Sequence, residues 1–374
     1  MMNHNKLIIF CSVEPHTYPP PHLQSIREEL SKRYPTITID MPTTVHRLRL
    51  RDSVKMYWQL LLFFLGRRRS IVWQPSIRLS YFDYVLFSVY LFLIRFILGM
   101  RIVLYTTAPF TDPLYRIVPH NLSILDCLDD VDGRIEHHAD LIRSFDCVCA
   151  NTPLIHEKLL AITPRVHTLS AGYHSYTQVS ISKTVVDNSV VYFGGISHRM
   201  MFDWLLQAAI ELPDTQFYFI GKTYLHTYYT DERDEHSMRQ WNALLKRKNV
   251  HYWDAMLEPS TAQHILSLFT AGLIPYDIRD SFTYTSHPMK TYDYLGSGLP
   301  VISSPLPSLV QYEKTGFVHI AHTPEQFVQY VKKLSRSKKH LSPTELTHMK
   351  RLIRSQSMQL KMKQLENIFC EYEI

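Results

Sequence analysis

The stretch AGLIPYDIRDSFTYTSHPMKTYDYLGSGLPVISSPLPSL, residues 271 to 309, decides how the chain is read. It opens on a short apolar run, breaks after Ile274, takes helical spacing around HPMKTYDYLGSG and returns to an apolar run at PVISS. Strand, helix and strand in this order make a βαβ unit with its strands parallel in one sheet. Such sheets bind ligands beyond the carboxyl ends of their strands, so the residues just after each strand carry most functional weight. Pro288 stands where a helix starts, which places His287 beside the turn and Met289 and Lys290 in the first turn, next to backbone amides with no helical partner. A lysine there opposes the helix dipole unless an anion occupies the site, and diphosphate is the natural candidate. Asp293, one turn on from Lys290, faces the same side and is placed to accept ribose or sugar hydroxyls.

Outward from this stretch the same rhythm covers the chain. KLIIF, HLQSIREELSKRY, TITID, RIVLYT, LSILD, a helix near Glu136 to Ser144 and DCVCAN alternate through the first half. The polar run from Ala171 to Ser189 interrupts the pattern, which restarts with SVVYFGG, a helix from about Met201, QFYFIGK, NVHYW and STAQHILSLFT. A chain of 374 residues is too long for one ordinary core and suits two. The expected fold class is α/β: two Rossmann-like domains with parallel sheets facing a central cleft. The first spans residues 1–175 and the second 186–345, with a linker near 174 to 188. The tail, 346–374, reads as a basic amphipathic helix packing back on the body.

The composition, 45% hydrophobic and 20% charged, is that of a folded chain. Five cysteines without paired CxxC spacing fit a reducing cytoplasm, and the apolar run from Leu7 to Cys11 is too short for a signal peptide. Charge is uneven. Residues 47 to 101 hold ten Lys or Arg against Asp52 and Asp83, a net of +8. Bulky apolar residues accompany these cations, which favours an anionic membrane face over nucleic acid. MYWQLLLFFLG, followed at once by Arg67, Arg68 and Arg69, suits an interfacial helix on acidic lipids, and equally a core helix with a solvated basic end. YVLFSVYLFLI, residues 84 to 94, is bracketed by Asp83 and Arg95 and is expected as a buried helix of the first domain rather than a span.

Three further strand ends draw attention. In LSILDCLDDVDG, Asp126 closes the strand and Asp129 and Asp130 follow, three carboxylates of which one could serve as general base and any could cap a helix. In SVVYFGGISHRM, Gly194 and Gly195 allow the backbone close to a phosphate. In FYFIGKTY, Gly221 permits a sharp exit before Lys222.

The segment from Ile274 to Leu306 closely resembles the donor-binding signature of GT-B glycosyltransferases, especially bacterial exopolysaccharide and teichuronic-acid transferases of the xanthan glucuronosyltransferase kind. DCLDD with HADLIRSFDCVCANTPLIHEKL, the block VVYFGGISHRMMFDWLLQAAIELPDTQFYFIGK, and NVHYW extend the resemblance over about residues 100 to 320. It implies a glycosyl transfer from a nucleotide sugar, UDP- or GDP-linked, to a lipid-linked or glycan acceptor, on the inner face of the plasma membrane. It implies that Met289 and Lys290 hold the diphosphate, that Asp293 lies near the donor, that an acid near Asp254 holds the ribose and that Tyr276 contacts the nucleotide. It also implies a first-domain base, for which the Asp126 to Asp130 cluster is the expectation. Many retaining members carry two glutamates with seven residues between them where this chain has Thr285 and Asp293, so inversion is expected. No convincing DxD-type clamp is present, and no metal or other cofactor is expected. Neither half shows the GxGxxG of a dehydrogenase. A nucleotide-sugar epimerase of the same fold, or a scaffold that kept only the fold, remain the alternatives.

Overall fold

The computed structural model describes residues 6–12, 21–40, 58–66, 70–73, 81–107, 118–130, 133–173, 185–225, 232–337 and 342–374. The chain forms two compact units, one of residues 1–174 with 356–374, the other of 175–355.

The first unit is built on a parallel sheet of β1 (Lys6–Ser12), β2 (Thr36–Asp40), β3 (Ser70–Trp73), β4 (Arg101–Thr106), β5 (Leu122–Cys127), β6 (Cys147–Ala150) and β7 (Val166–Thr168), in the order β3-β2-β1-β4-β5-β6-β7. Its inner strands are apolar at nearly every position because both faces are covered. Leu7, Ile9, Ile102 and Leu104 point into one layer with Leu60, Phe63, Leu91 and Ile94. Ile8, Phe10, Val103 and Tyr105 point the other way, against the helix Pro21–Arg33 and the C-terminal helix Met358–Glu371.

The second unit has β8 (Ser189–Phe193), β9 (Gln216–Ile220), β10 (Val250–Trp253), β11 (Ala271–Ile274), β12 (Val301–Ser303) and β13 (Val318–Ile320), all parallel, in the order β10-β9-β8-β11-β12-β13. Helices Phe202–Glu211, Glu232–Leu245 and Pro324–Ser335 cover one face through Trp204, Leu205, Trp241, Phe327 and Val331. Local signals set several boundaries. Thr323 caps Pro324–Ser335 by accepting from Gln326 N, and Ser342 with Glu345 closes a capping box on Pro343–Arg354.

Two expectations need correction. The tail is two helices, because Ser357 accepts from Leu360 N and starts a new one; Pro343–Arg354 falls in the second unit and Met358–Glu371 in the first. The helix Tyr81–Ile97 is buried on one side only: Phe87, Leu91 and Ile94 are enclosed, whereas Phe92, Phe96 and Ile97 are exposed. No helix among the described residues is long and apolar enough to cross a membrane.

Candidate functional site

In the second sheet the strand order reverses between β8 and β11, and their carboxyl ends form the crevice where such sheets take ligands. Gly194 and Gly195 leave β8 there, Tyr276 follows β11, and the helix Lys290–Gly296 begins beside them with Met289 as its N-terminal flanking residue. The helix is fixed by Tyr294, whose buried hydroxyl donates to Leu273 O at 3.1 Å and accepts from Phe193 N at 2.8 Å. Ser304, just past β12, holds the Tyr276 backbone, donating to Tyr276 O at 2.6 Å and accepting from Tyr276 N at 3.1 Å.

Lys290 is the centre of this crevice. Its Nζ donates to Tyr192 Oη at 2.8 Å and lies 4.0 Å from the Tyr192 ring centroid and 4.6 Å from that of Tyr276. Among the described residues no carboxylate stands within ion-pair distance of it, so a half-buried ammonium rests on two phenol rings. Burial lowers the Lys290 pKa from the ordinary lysine value, with Tyr276 opposing the shift. Burial, the largest influence, would raise the Tyr276 phenol, but the Lys290 charge, hydrogen bonds with Lys290 and Tyr192 and the Arg199 charge together outweigh it, and the net direction is down. Cation–π contacts of this kind contribute about 0.5–2 kcal/mol, less than a matched anion gives a partly desolvated cation.

Gly194 has φ of 126°, and a Cβ there would stand 3.1 Å from Lys290 Nζ. Gly221, φ 147°, exits β9 against it so closely that a Cβ would lie 2.1 Å from Gly194 O. The two glycines let neighbouring strand ends meet and leave space above the ammonium. Tyr192, wholly buried, also donates to Gly195 O at 2.6 Å, joining the glycine turn to Lys290. Sequence reasoning passed over Tyr192 because an aromatic inside a strand ordinarily signals core. Arg199 was missed too; its guanidinium lies 4.5 Å from the Phe282 ring centroid and its charge acts on both Lys290 and Tyr276.

Lys222 and Asp254 are exposed at the ends of β9 and β10. Register pairs Phe193 with Ile220 and Ile220 with Trp253, so Asp254 sits two strands from Gly194, about 10 Å away. Asp293 is half-exposed and its charge reaches Lys290. His287 and Pro288 are buried. The His287 ring stacks on Tyr292 at 5.5 Å and 9°, its Nε2 lies 2.5 Å from Tyr292 Oη, and its Nδ1 is enclosed with no hydrogen-bond partner. Burial pulls the His287 pKa down to about 4. His287 therefore supports the turn as a neutral residue and does not offer a charge to a ligand.

A neighbouring cavity of about 370 Å³ is lined by His198, Arg233, His236, Asp277 and Arg279 among others. Its cations are already matched: Arg279 grips Asp277 by two bonds of 2.8 Å and Arg233 reaches Asp280 at 3.3 Å. It lacks the unmatched charge found at Lys290.

In the first unit the three carboxylates have different fates. Asp126 is wholly buried, paired with Lys361 Nζ at 2.7 Å and hydrogen-bonded by Tyr105 Oη. Asp130 accepts from Ile135 N at 3.0 Å and pairs with Lys158 at 2.6 Å, so it holds the start of the following helix. Both placements argue against the expected role as base, since a base needs an oxygen that an acceptor hydroxyl can reach, and Asp126 Oδ1, though without a hydrogen-bond partner, is enclosed with the rest of its side chain. Asp129 is half-exposed and keeps that possibility. Arg67, Arg68 and Arg69 lie outside the described residues.

No protein-family model matches the chain. It is 24% identical over 245 residues to a Bacillus subtilis protein, TuaH, named as a glycosyltransferase of teichuronic acid biosynthesis, the match spanning 58% of each chain. The chain thus spans less than two thirds of that relative. Among solved structures it resembles Anabaena HepE in complex with UDP, at 10% identity and a TM-score of 0.66, over 96% of this chain and 99% of that one. Staphylococcus aureus TarM, crystallised as a variant with UDP, fondaparinux and α-GlcNAc-glycerol, matches at 9% identity and a TM-score of 0.66, over 97% and 99%. The chain has the two-unit GT-B fold, and in sequence it resembles a glycosyltransferase of teichuronic acid biosynthesis.

Proposed function

We propose that the chain transfers a glycosyl group from a nucleoside-diphosphate sugar to a lipid-linked or polysaccharide-precursor acceptor. The observation that carries this reading is the Lys290 ammonium, unmatched by any described carboxylate, at the switch point of a parallel sheet between two glycines and two phenols. UDP, bound by the HepE and TarM crystals, is the first nucleotide to test, with GDP the second.

In this reading the diphosphate lies against Lys290 and Met289, Asp254 takes the ribose and Asp293 meets the sugar. An acceptor hydroxyl attacks the anomeric carbon, the bond to the diphosphate oxygen breaks with its electron pair, and a carboxylate takes the hydroxyl proton. Anomeric configuration inverts. Of the sequence cluster, half-exposed Asp129 is the choice for that carboxylate. Lys290 stabilises the departing charge more than the bound donor, which is what accelerates the step. The reading has the reaction proceed without a metal. The chain works from the cytoplasmic side, held at an anionic inner membrane face.

The test is release of nucleoside diphosphate from UDP-, GDP- and dTDP-sugars, with and without a lipid extract and with EDTA, for the parent chain and Lys290→Ala. Lysine-dependent release stimulated by lipid supports the reading. Failure of every donor to bind or react would leave a scaffold of the same fold; product sugar epimerised without an acceptor would make the chain an epimerase.

A further inference from the structure

We propose that the outer face of the helix Tyr81–Ile97 inserts into an anionic lipid monolayer, an inference that rests on the membrane-bound acceptor proposed above and names the surface that reaches it. The helix carries two apolar stripes. Phe87, Leu91 and Ile94 bury one of them against the sheet. On the other side Val89 is 50% exposed, Phe92 52%, Phe96 66% and Ile97 63%, and Leu98 continues the stripe at 43%. Phe92 and Phe96 lie one turn apart with ring centroids 4.1 Å from each other, a paired aromatic surface facing outward. A surface helix ordinarily presents polar residues there.

The segment 58–64 packs beside this helix, with Tyr90 Oη donating to Leu60 O at 3.0 Å and Phe64 against Tyr90 at 6.4 Å. It repeats the pattern: Leu60 and Phe63 are buried, whereas Trp58 is 60% and Leu65 56% exposed. Scattered exposed apolar residues are ordinary, but nine of the seventeen large ones among the described residues fall within 58–65 and 89–98. The inner stripe is held in the core, so the helix lies along a surface and offers one face to it.

Charge selects the occupant. Arg95, half-buried, stands on the flank between the two stripes and Arg101 follows the helix, and among the described residues neither is ion-paired. The sequence from 47 to 101 carries ten cations and two acids. A second copy brought face to face would set Arg95 against its own kind, whereas an acidic bilayer offers apolar depth beneath a negative surface.

The test is flotation of the full chain with vesicles of phosphatidylcholine alone or mixed with phosphatidylglycerol, needing neither donor nor turnover. The parent chain is expected to float with the mixed vesicles and far less with the neutral ones. Phe96→Ser with Ile97→Ser, both at positions more than 60% exposed, is expected to lower partition at least about tenfold while thermal unfolding stays unchanged. Phe92→Ser with Phe96→Ser is the second variant. Equal flotation of parent and variants, or no flotation of the parent, overturns the proposal. So does a concentration-dependent dimer, seen by light scattering, that the double variants abolish. Loss of nucleotide release with flotation intact would count against the transferase reading and leave this surface standing.

Discussion

Lys361 Nζ lies 2.7 Å from Asp126 Oδ2, and neither side chain has exposed surface. The lysine also donates to Ser170 O at 3.1 Å, so a charge carried by the C-terminal helix is enclosed at the end of β5. Losing one partner leaves the other charge buried and uncompensated, which costs about 3–5 kcal/mol, whereas losing both leaves a smaller packing defect. Lys361→Met is therefore expected to destabilise the first unit by that amount, and Asp126→Asn with Lys361→Met to recover much of it, read by urea unfolding in a double-mutant cycle. Should Asp126→Asn abolish turnover with stability intact, Asp126 is the base and the framework role assigned to it is wrong.

Gly221 and Gly194 set the second expectation. A methyl at 221 would sit 2.1 Å from Gly194 O, and φ of 147° disfavours any L side chain. Gly221→Ala must push the β8 turn aside, at on the order of 2–4 kcal/mol. Because that turn borders Lys290, affinity for the nucleoside diphosphate should fall together with the melting temperature. A variant that melts normally and binds normally would show that the two strand exits separate freely.

The Lys290–Tyr192 contact predicts a pH profile. Burial lowers the lysine pKa, so the ammonium is lost at lower pH than an exposed lysine would lose it. Only the charged form matches a diphosphate, so affinity should decline on the alkaline side below the usual lysine range, and Lys290→Ala should lack this limb. Tyr192→Phe keeps the ring beneath the ammonium but removes the bonds to Lys290 and Gly195 O. About 1 kcal/mol for a hydrogen bond puts the expected loss of affinity near fivefold. Calorimetric titration with UDP across pH checks both, and identical profiles for parent and Lys290→Ala would remove the lysine from the site.

The two sheets were legible because apolar runs and glycine exits are local signals: LIIF, IVLYT, VVYF and FYFI all became strands. The helix start at Lys290 was legible for the same reason, being written by Pro288. What the chain concealed was pairing over distance. Nothing near Asp126 announces a lysine 235 positions later, so an acid at a strand end looked reactive when it was matched. The helix Tyr81–Ile97 was misread in the opposite sense, since composition cannot tell which apolar stripe meets the sheet and which meets solvent.

His287 supplies the last expectation. Its pKa is drawn from the usual 6.5 to about 4 by burial alone. Above pH 6.5 neither folded nor unfolded chain protonates it, so it leaves stability unchanged there. Between 6.5 and about 4 the unfolded chain takes up a proton that the folded one refuses, so stability falls as pH falls. The whole loss is about 3 kcal/mol, reached near the lower limit. His287→Phe keeps a ring against Tyr292 and cannot titrate, giving up one hydrogen bond at a cost of about 1 kcal/mol near neutrality. Denaturant unfolding at a series of pH values should show the variant losing stability less steeply through the acid range, by up to one proton's worth of slope. His198 and His319 are also shifted down by burial and contribute to the parent's acid limb, but they are common to both chains and cancel in the comparison. Parallel acid limbs would mean that His287 reaches water before the fold gives way.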